Sequence, residues 1–236
     1  MIAKDSVILI VGLGLIGGSY AKGLKKHGYT VYAISRGQGT IDYALENGII
    51  DKGTIQEDPE IINQADYIIF GLYPHTMIDW IARNQQYFKS GAIITDVCGV
   101  KCNVVDVVQD FLRKDVEFIG SHPMAGKEVS GVQYSDDAIF HSANFIITPT
   151  EQNTEKGIAF AKELAELLEF YHVAIITPQE HDKMIGFVSQ LTHAVAVSLM
   201  NTSDNTHLKE YTGDSFRDLT RIAKINETLW SELFFL

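Results

Sequence analysis

The feature that most restricts how this chain can fold lies near its N-terminus. Val7-Ile8-Leu9-Ile10-Val11 is an unbroken apolar run. A strand apolar on both faces must be covered on both, which is the setting of a parallel sheet. Gly12-Leu13-Gly14-Leu15-Ile16-Gly17 follows directly and reads G-x-G-x-x-G. In that pattern Gly12 allows a tight turn, Gly14 a close approach by a pyrophosphate, and Gly17 close packing of helix on strand. The helix that begins there aims free N–H groups at an anion. Gly28 ends it, and residues 30–34 form the next strand. The glycine pattern alone is weak. Its place between a buried strand, a helix and a second strand makes residues 12–17 a candidate dinucleotide site.

The remainder alternates in the same way. Apolar runs predict strands at 66–72, 92–95 (ending at Asp96), 116–119, 145–147 and 173–176, with a helix over 162–170. Tyr73-Pro74 stops the first of these runs. Strands alternating with helices imply an α/β fold with a doubly wound, mainly parallel, Rossmann-type sheet over residues 1–176. The pattern changes at Thr177. Thr177-Pro178-Gln179-Glu180 is a capping box with proline at the first helical position. Residues 182–200 are then apolar nearly all round, as in a helix enclosed by other helices, with Ser189, Gln190 and His193 close on one face. Residues 201–213 read as a loop or a weak helix. A cap at Ser215 starts a helix that places Asp218 and Arg221 at i, i+3, and Asn226-Glu227 opens a last one carrying Trp230 and Phe234. Residues 177–236 are therefore expected to form a smaller all-helical unit.

Charge narrows the partners. Thirty acidic residues against 19 Lys and Arg give a formal net charge of −11, which argues against nucleic acid or an anionic membrane. No apolar run approaches a membrane span of roughly 20 residues. Cys98 and Cys102, four apart, match neither a disulfide framework nor a metal site. A reducing cytoplasm and no metal are the expectations. At the end of the second strand an acid would hold the ribose hydroxyls of NAD. Ser35-Arg36 stands there instead and suits a 2′-phosphate, so NADP is favoured, with NAD as the alternative.

One stretch can carry chemistry. Gly120-Ser121-His122-Pro123-Met124-Ala125-Gly126, followed by Glu128, comes after a predicted strand. A histidine displayed past a strand end can meet a ligand beyond the carboxyl edge of the sheet, and imidazole moves protons near neutral pH. Pro123 disfavours helix at His122, so an extended turn is expected there.

Taken with 96–101 and 216–223, these segments resemble the prephenate and arogenate dehydrogenase family of tyrosine biosynthesis, over about residues 7–230. The resemblance implies that His122 accepts the proton of a ring 4-hydroxyl and that Arg221 binds a substrate carboxylate. It implies that His193 is a second substrate-site histidine, and that Glu128, Ser121, Asp218 and Trp230 shape the pocket. Pro74 and Asp96 would join the glycines and Ser35-Arg36 at the cofactor. The implied reaction moves hydride from ring C4 to NADP or NAD and releases the ring carboxylate as carbon dioxide, driven by aromatisation. Prephenate is the expected substrate, arogenate the alternative, and a homodimer the expected assembly. With an ordinary imidazole, activity would rise around pH 6.5. The sequence departs from the family at Gly99, where serine is usual, and at Gln190, where the first of two histidines is usual. These departures leave room for a nucleotide-binding sensor without catalysis.

Overall fold

A computed structural model describes residues 2–235, with Lys209 by its backbone alone. Eight strands form one sheet: β1 (Val7–Val11), β2 (Thr30–Ile34), β3 (Lys52–Thr54), β4 (Tyr67–Phe70), β5 (Ile93–Asp96), β6 (Glu117–Pro123), β7 (Asn144–Thr148) and β8 (His172–Ile175). Their spatial order is β3-β2-β1-β4-β5-β6-β7-β8. All pairs are parallel except β6–β7, where Gly120 faces Thr148 and His122 faces Ile146. The direction of winding reverses between β1 and β4, and a doubly wound sheet opens its ligand crevice at that point.

The helices α1 (Leu15–Lys26), α2 (Gln38–Glu46), α3 (Pro59–Gln64), α4 (Pro74–Asn84), α5 (Cys102–Phe111) and α6 (Glu155–Leu167) cover both faces. β1 shows why its run had to be continuous. Ile8 and Ile10 join one core with Tyr20 and Leu24 of α1 and Phe160 of α6. Leu9 and Val11 join the other, with Met77 and Trp80 of α4 and Val104 and Val108 of α5. Neither face of the strand meets water, so neither tolerates a polar residue.

Several elements differ from their sequence outlines. β3 is three residues long and carries Lys52 and Thr54, too short and polar for an apolar pattern. α6 starts earlier than 162, because the Thr154 side chain accepts from Gly157 N and caps it. It stops at Leu167, and Glu169 turns left-handed at φ 56°. β6 runs on to Pro123, so His122 belongs to a strand and not to a turn.

The capping box at Thr177 forms as expected, with Pro178 in the first turn. α7 (Pro178–Ile185), a π-helical stretch (Gly186–Gln190) and α8 (Leu191–Asn201) then make one helix of 24 residues. It is long and apolar enough to cross a membrane by length and composition, which corrects the reading of its sequence as too short. It is also not enclosed. Ile185 and Ala196 are buried, but Met184, Phe187, Val188, Leu191 and Val195 are exposed. Helices α9 (Asp214–Thr220) and α10 (Glu227–Phe235) follow. The cap of α9 is Gly213 and not Ser215, whereas Asn226 caps α10 by accepting from Leu229 N. Leu236, the last residue of the apolar tail, lies outside the described residues.

The crossing of β1 and α1 leaves no room at two glycines. Gly12 sits at φ 97°, and a Cβ there would lie 2.4 Å from Gly71 O; a Cβ on Gly17 would lie 2.1 Å from Gly12 O. Both obstacles are backbone, so relief requires α1 to move off the sheet. Gly17→Ala is therefore expected to cost about 1–3 kcal/mol, read as a lower urea midpoint at constant m-value. Unchanged unfolding would mean that α1 is not held as closely as described.

Candidate functional site

The glycine turn makes one end of the site. α1 begins at Gly14 with no side-chain cap, so its first N–H groups are free for an anion. A Cβ at Gly14 would meet nothing within 4 Å, and the space above it is open. Leu13, Leu15 and Gly17 are buried beneath, with Ile16 half-buried. A dinucleotide pyrophosphate fits this cradle. Ser35 and Arg36 follow β2. Ser35 N donates to Thr54 O at 3.1 Å, and the Arg36 side chain is exposed. Pro74 is buried at the first turn of α4. Among the described residues no group of three or more His, Cys, Asp or Glu side chains could hold a metal ion.

Asp96 does not face this crevice. It is fully buried and forms an ion pair with the equally buried Lys101. Its carboxylate also accepts from Cys98 N at 2.9 Å and from Ser121 N at 3.0 Å. Both oxygens are engaged with protein, which corrects its assignment to the cofactor. Ser121 is corrected too. Its hydroxyl is buried, donates to Asp96 O at 2.7 Å and lies 2.9 Å from Thr95 Oγ1. Alternation along a strand puts its side chain on the face opposite His122.

His122 is half-buried on β6. Its Nδ1 lies 2.9 Å from Nε2 of His181. His181 has no exposed surface, and its Nδ1 lies 2.7 Å from Oδ1 of Asp182. Asp182 also accepts from Lys101 N at 2.8 Å and Cys102 N at 2.7 Å. A carboxylate from α7 thus caps α5, which has no cap of its own. Burial, then the Lys101 charge and the neighbouring His181, push the His122 imidazole well below its ordinary pKa. Burial lowers His181 as well, against the hydrogen bond it donates to Asp182. Burial alone would raise Asp182, but hydrogen bonds from His181, Cys102 and Lys101 outweigh it and hold the carboxyl at about 2. Sequence reading missed His181. The signal was a His-Asp pair in the first turns of a capped helix, and no spacing announces that such a helix docks against β6.

The helical unit closes the other side. The His193 and Trp230 rings lie against each other with centroids 3.8 Å apart and planes tilted by 32°, and Phe234 extends the cluster. Arg221 pairs with Glu128, beyond the end of β6. Asp218 is exposed and makes no ion pair with Arg221 among the described residues; α9 instead pairs Arg217 with Asp214. α10 docks on the sheet's carboxyl edge. Glu232 accepts from His75 N at 3.0 Å, Gln190 Nε2 donates to Leu233 O at 2.5 Å, and the Leu233 side chain rests over Gly99. A Cβ at Gly99 would lie 3.1 Å from Leu233 and 3.8 Å from His122 Cε1. No side chain at residue 99 therefore stands between His122 and the space beside it.

Comparison with known proteins agrees with this layout. Residues 20–176 match the family described as prephenate dehydrogenase, nucleotide-binding domain, and residues 177–236 match prephenate dehydrogenase, dimerization domain. The prephenate dehydrogenase of Bacillus subtilis is 31% identical over 237 residues, covering 98% of this chain and 63% of that protein. The chain thus spans less than two thirds of that relative's length. The structure of A. aeolicus prephenate dehydrogenase with hydroxyphenyl propionate and NAD+ superposes with a TM-score of 0.88 at 32% identity, over 99% of this chain and 83% of that one. Synechocystis arogenate dehydrogenase gives 0.80 at 26% identity, over 96% and 82%.

The depressed groups make stability depend on pH in a definite direction. His122 and His181 stay neutral in the fold, whereas the unfolded chain protonates them below about pH 6.5. Their contribution is present above that pH and is lost as pH falls. Asp182 adds a second loss between about pH 4 and its folded value of about 2. The urea midpoint is expected to be lower at about pH 5.5 than at about pH 7.5. Equal midpoints would show that both imidazoles charge freely in the folded protein.

Proposed function

The chain belongs to the prephenate dehydrogenase family, and on that premise we propose that it oxidatively decarboxylates prephenate to 4-hydroxyphenylpyruvate in tyrosine biosynthesis. The observation that carries the proposal is a half-buried imidazole, His122, kept neutral at the carboxyl edge of a dinucleotide-binding sheet. A neutral imidazole is ready to accept a proton at physiological pH. When bound, the nicotinamide cofactor supplies the hydride acceptor.

The chain's own residues do the rest. His122 takes the proton of the ring 4-hydroxyl as the C–O bond gains carbonyl character. Hydride leaves ring C4, the electrons of the breaking C–C bond flow into the ring as the carboxylate leaves as carbon dioxide, and the ring oxygen takes its proton back from His122 to give the phenol. Arg221, already paired with the Glu128 carboxylate, offers a guanidinium that a substrate carboxylate can take over. The adjoining His193 and Trp230 rings offer an aromatic wall for the ring. Leu233 and the buried β6 edge exclude water from the His122 side.

The finer reading is NADP over NAD, supported by the exposed Arg36 at the end of β2 and by the absence of an acid there. A homodimer is part of the proposal. The exposed apolar face of the 178–201 helix, Phe187 at 66% exposure among it, suits burial against a second copy. Sedimentation velocity would find a dimer, and a monomer at working concentration would remove this part. The site of action proposed is the cytoplasm.

One assay tests the reading: reduced-cofactor absorbance with NAD or NADP crossed against prephenate or arogenate. Turnover is expected with prephenate and faster with NADP. Preference for arogenate would reassign the substrate, and tight cofactor binding without any turnover would leave a sensor. His122→Asn is expected to lower kcat by about 10²–10⁴-fold with cofactor Kd unchanged. The acid limb of the pH–rate profile is expected below the ordinary imidazole range of about 6.5, because burial holds His122 down. Arg36→Ala is expected to weaken NADP by about tenfold or more and to leave NAD unaffected.

A further inference from the structure

The proposed reaction gives His181 no task, yet it is the most enclosed titratable ring in the site. It stands in a line of three groups: His122 Nδ1 to His181 Nε2 at 2.9 Å, and His181 Nδ1 to Asp182 Oδ1 at 2.7 Å. Each contact needs one donor and one acceptor. An ionised carboxylate only accepts, and Asp182 is ionised at any pH well above about 2. The proton in the second contact therefore sits on His181 Nδ1. A neutral imidazole holding its proton there has only a lone pair on Nε2. The proton in the first contact must then come from His122 Nδ1. The remaining nitrogen of His122, Nε2, is left as a bare acceptor.

We propose that His181 and Asp182 are a positioning pair that locks His122 in the Nδ1–H form, so that Nε2 is the nitrogen that receives the substrate proton. The inference rests on His122 acting as the base. In the step, the substrate O–H bond breaks, an N–H bond forms at Nε2, and the positive charge on His122 is met by the His181 lone pair. Asp182 lies one ring beyond and favours that charge. The opposing charges are also accounted for. Lys101, at the start of α5, disfavours it but is paired with Asp96 at the end of β5. The Cys98 and Cys102 thiols, both raised by burial, stay neutral. Asp182 is held by the two N–H groups of α5, so the carboxylate cannot rotate away from His181. The same carboxylate thus caps a helix of the sheet unit and sets the tautomer two residues along the line.

The tautomer can be read directly in the resting chain, without substrate or cofactor, by ¹⁵N NMR of histidine-labelled protein. His122 is expected to show a protonated Nδ1 and a bare Nε2. A protonated Nε2 would overturn the proposal whatever the protein turns over. Kinetics give the second reading. Glutamine can present an amide oxygen where His181 Nε2 lies, whereas leucine fills the volume with no acceptor. His181→Gln is expected to keep kcat within about tenfold, and His181→Leu to lose about 100-fold or more in kcat. KM and cofactor Kd should stay within about twofold in both. A merely structural histidine would rank the two the other way, since leucine suits a buried site better than an amide does. Equal kcat in both variants would also overturn it. If His181→Leu does not fold, the tautomer measured in the unaltered chain decides. Failure of every substrate in the crossed assay would overturn the proposed reaction and leave the tautomer result standing, so the two failures are distinguishable.

Discussion

The arrangement of this site depends on a charge pair that never meets water. Asp96 and Lys101 are both fully buried, and each would be costly without the other. Breaking such a pair by removing one partner costs about 3–5 kcal/mol. The pair also has geometric consequences. Asp96 accepts from Cys98 N and Ser121 N, so one carboxylate sets the turn after β5 and the register of β6 beside it. Ser121 returns a bond to Asp96 O. Once Ser121 points inward, the alternation of a strand sends His122 to the other face. The His122 imidazole is thus aimed by a neighbour that itself has no surface.

A second carboxylate joins the helical unit to the sheet. Asp182 leaves the first turns of α7 to cap α5, and the same group holds His181 against His122. The contact that docks the helical unit on the sheet is therefore also the one that holds His181 beside His122. α10 adds to this by capping α4 through Glu232 and laying Leu233 over Gly99. Gly99 carries no side chain, and the space beside it is filled by the apolar Leu233. The result is a drier setting for His122, in line with the downward push on its pKa.

Much of the frame was legible because it follows from local rules. The run at residues 7–11 required two covered faces, and it has them. Thr177-Pro178-Gln179-Glu180 required a helix start, and one forms. Where the reading failed, the deciding contact was far along the chain. Asp96 and Ser121 looked available as polar residues at strand ends, but each is consumed by the other and by Lys101. Asp218 sat at a good helical spacing from Arg221, yet Arg221 reaches Glu128, 93 residues away, instead. His181 was invisible as a site residue because its partner, His122, is 59 residues earlier.

The amino-acid order by itself determined the sheet, the glycine turn after β1 and the helix start at Thr177. Those rest on periodicity, chain stiffness and motif, which act over a few residues. Only the tertiary structure decided which polar groups face solvent or ligand and which are spent on holding the fold. Hydrogen bonding is saturable: a carboxylate or hydroxyl already matched inside the protein has nothing left for a substrate, and no stretch of sequence records which partner reaches it first.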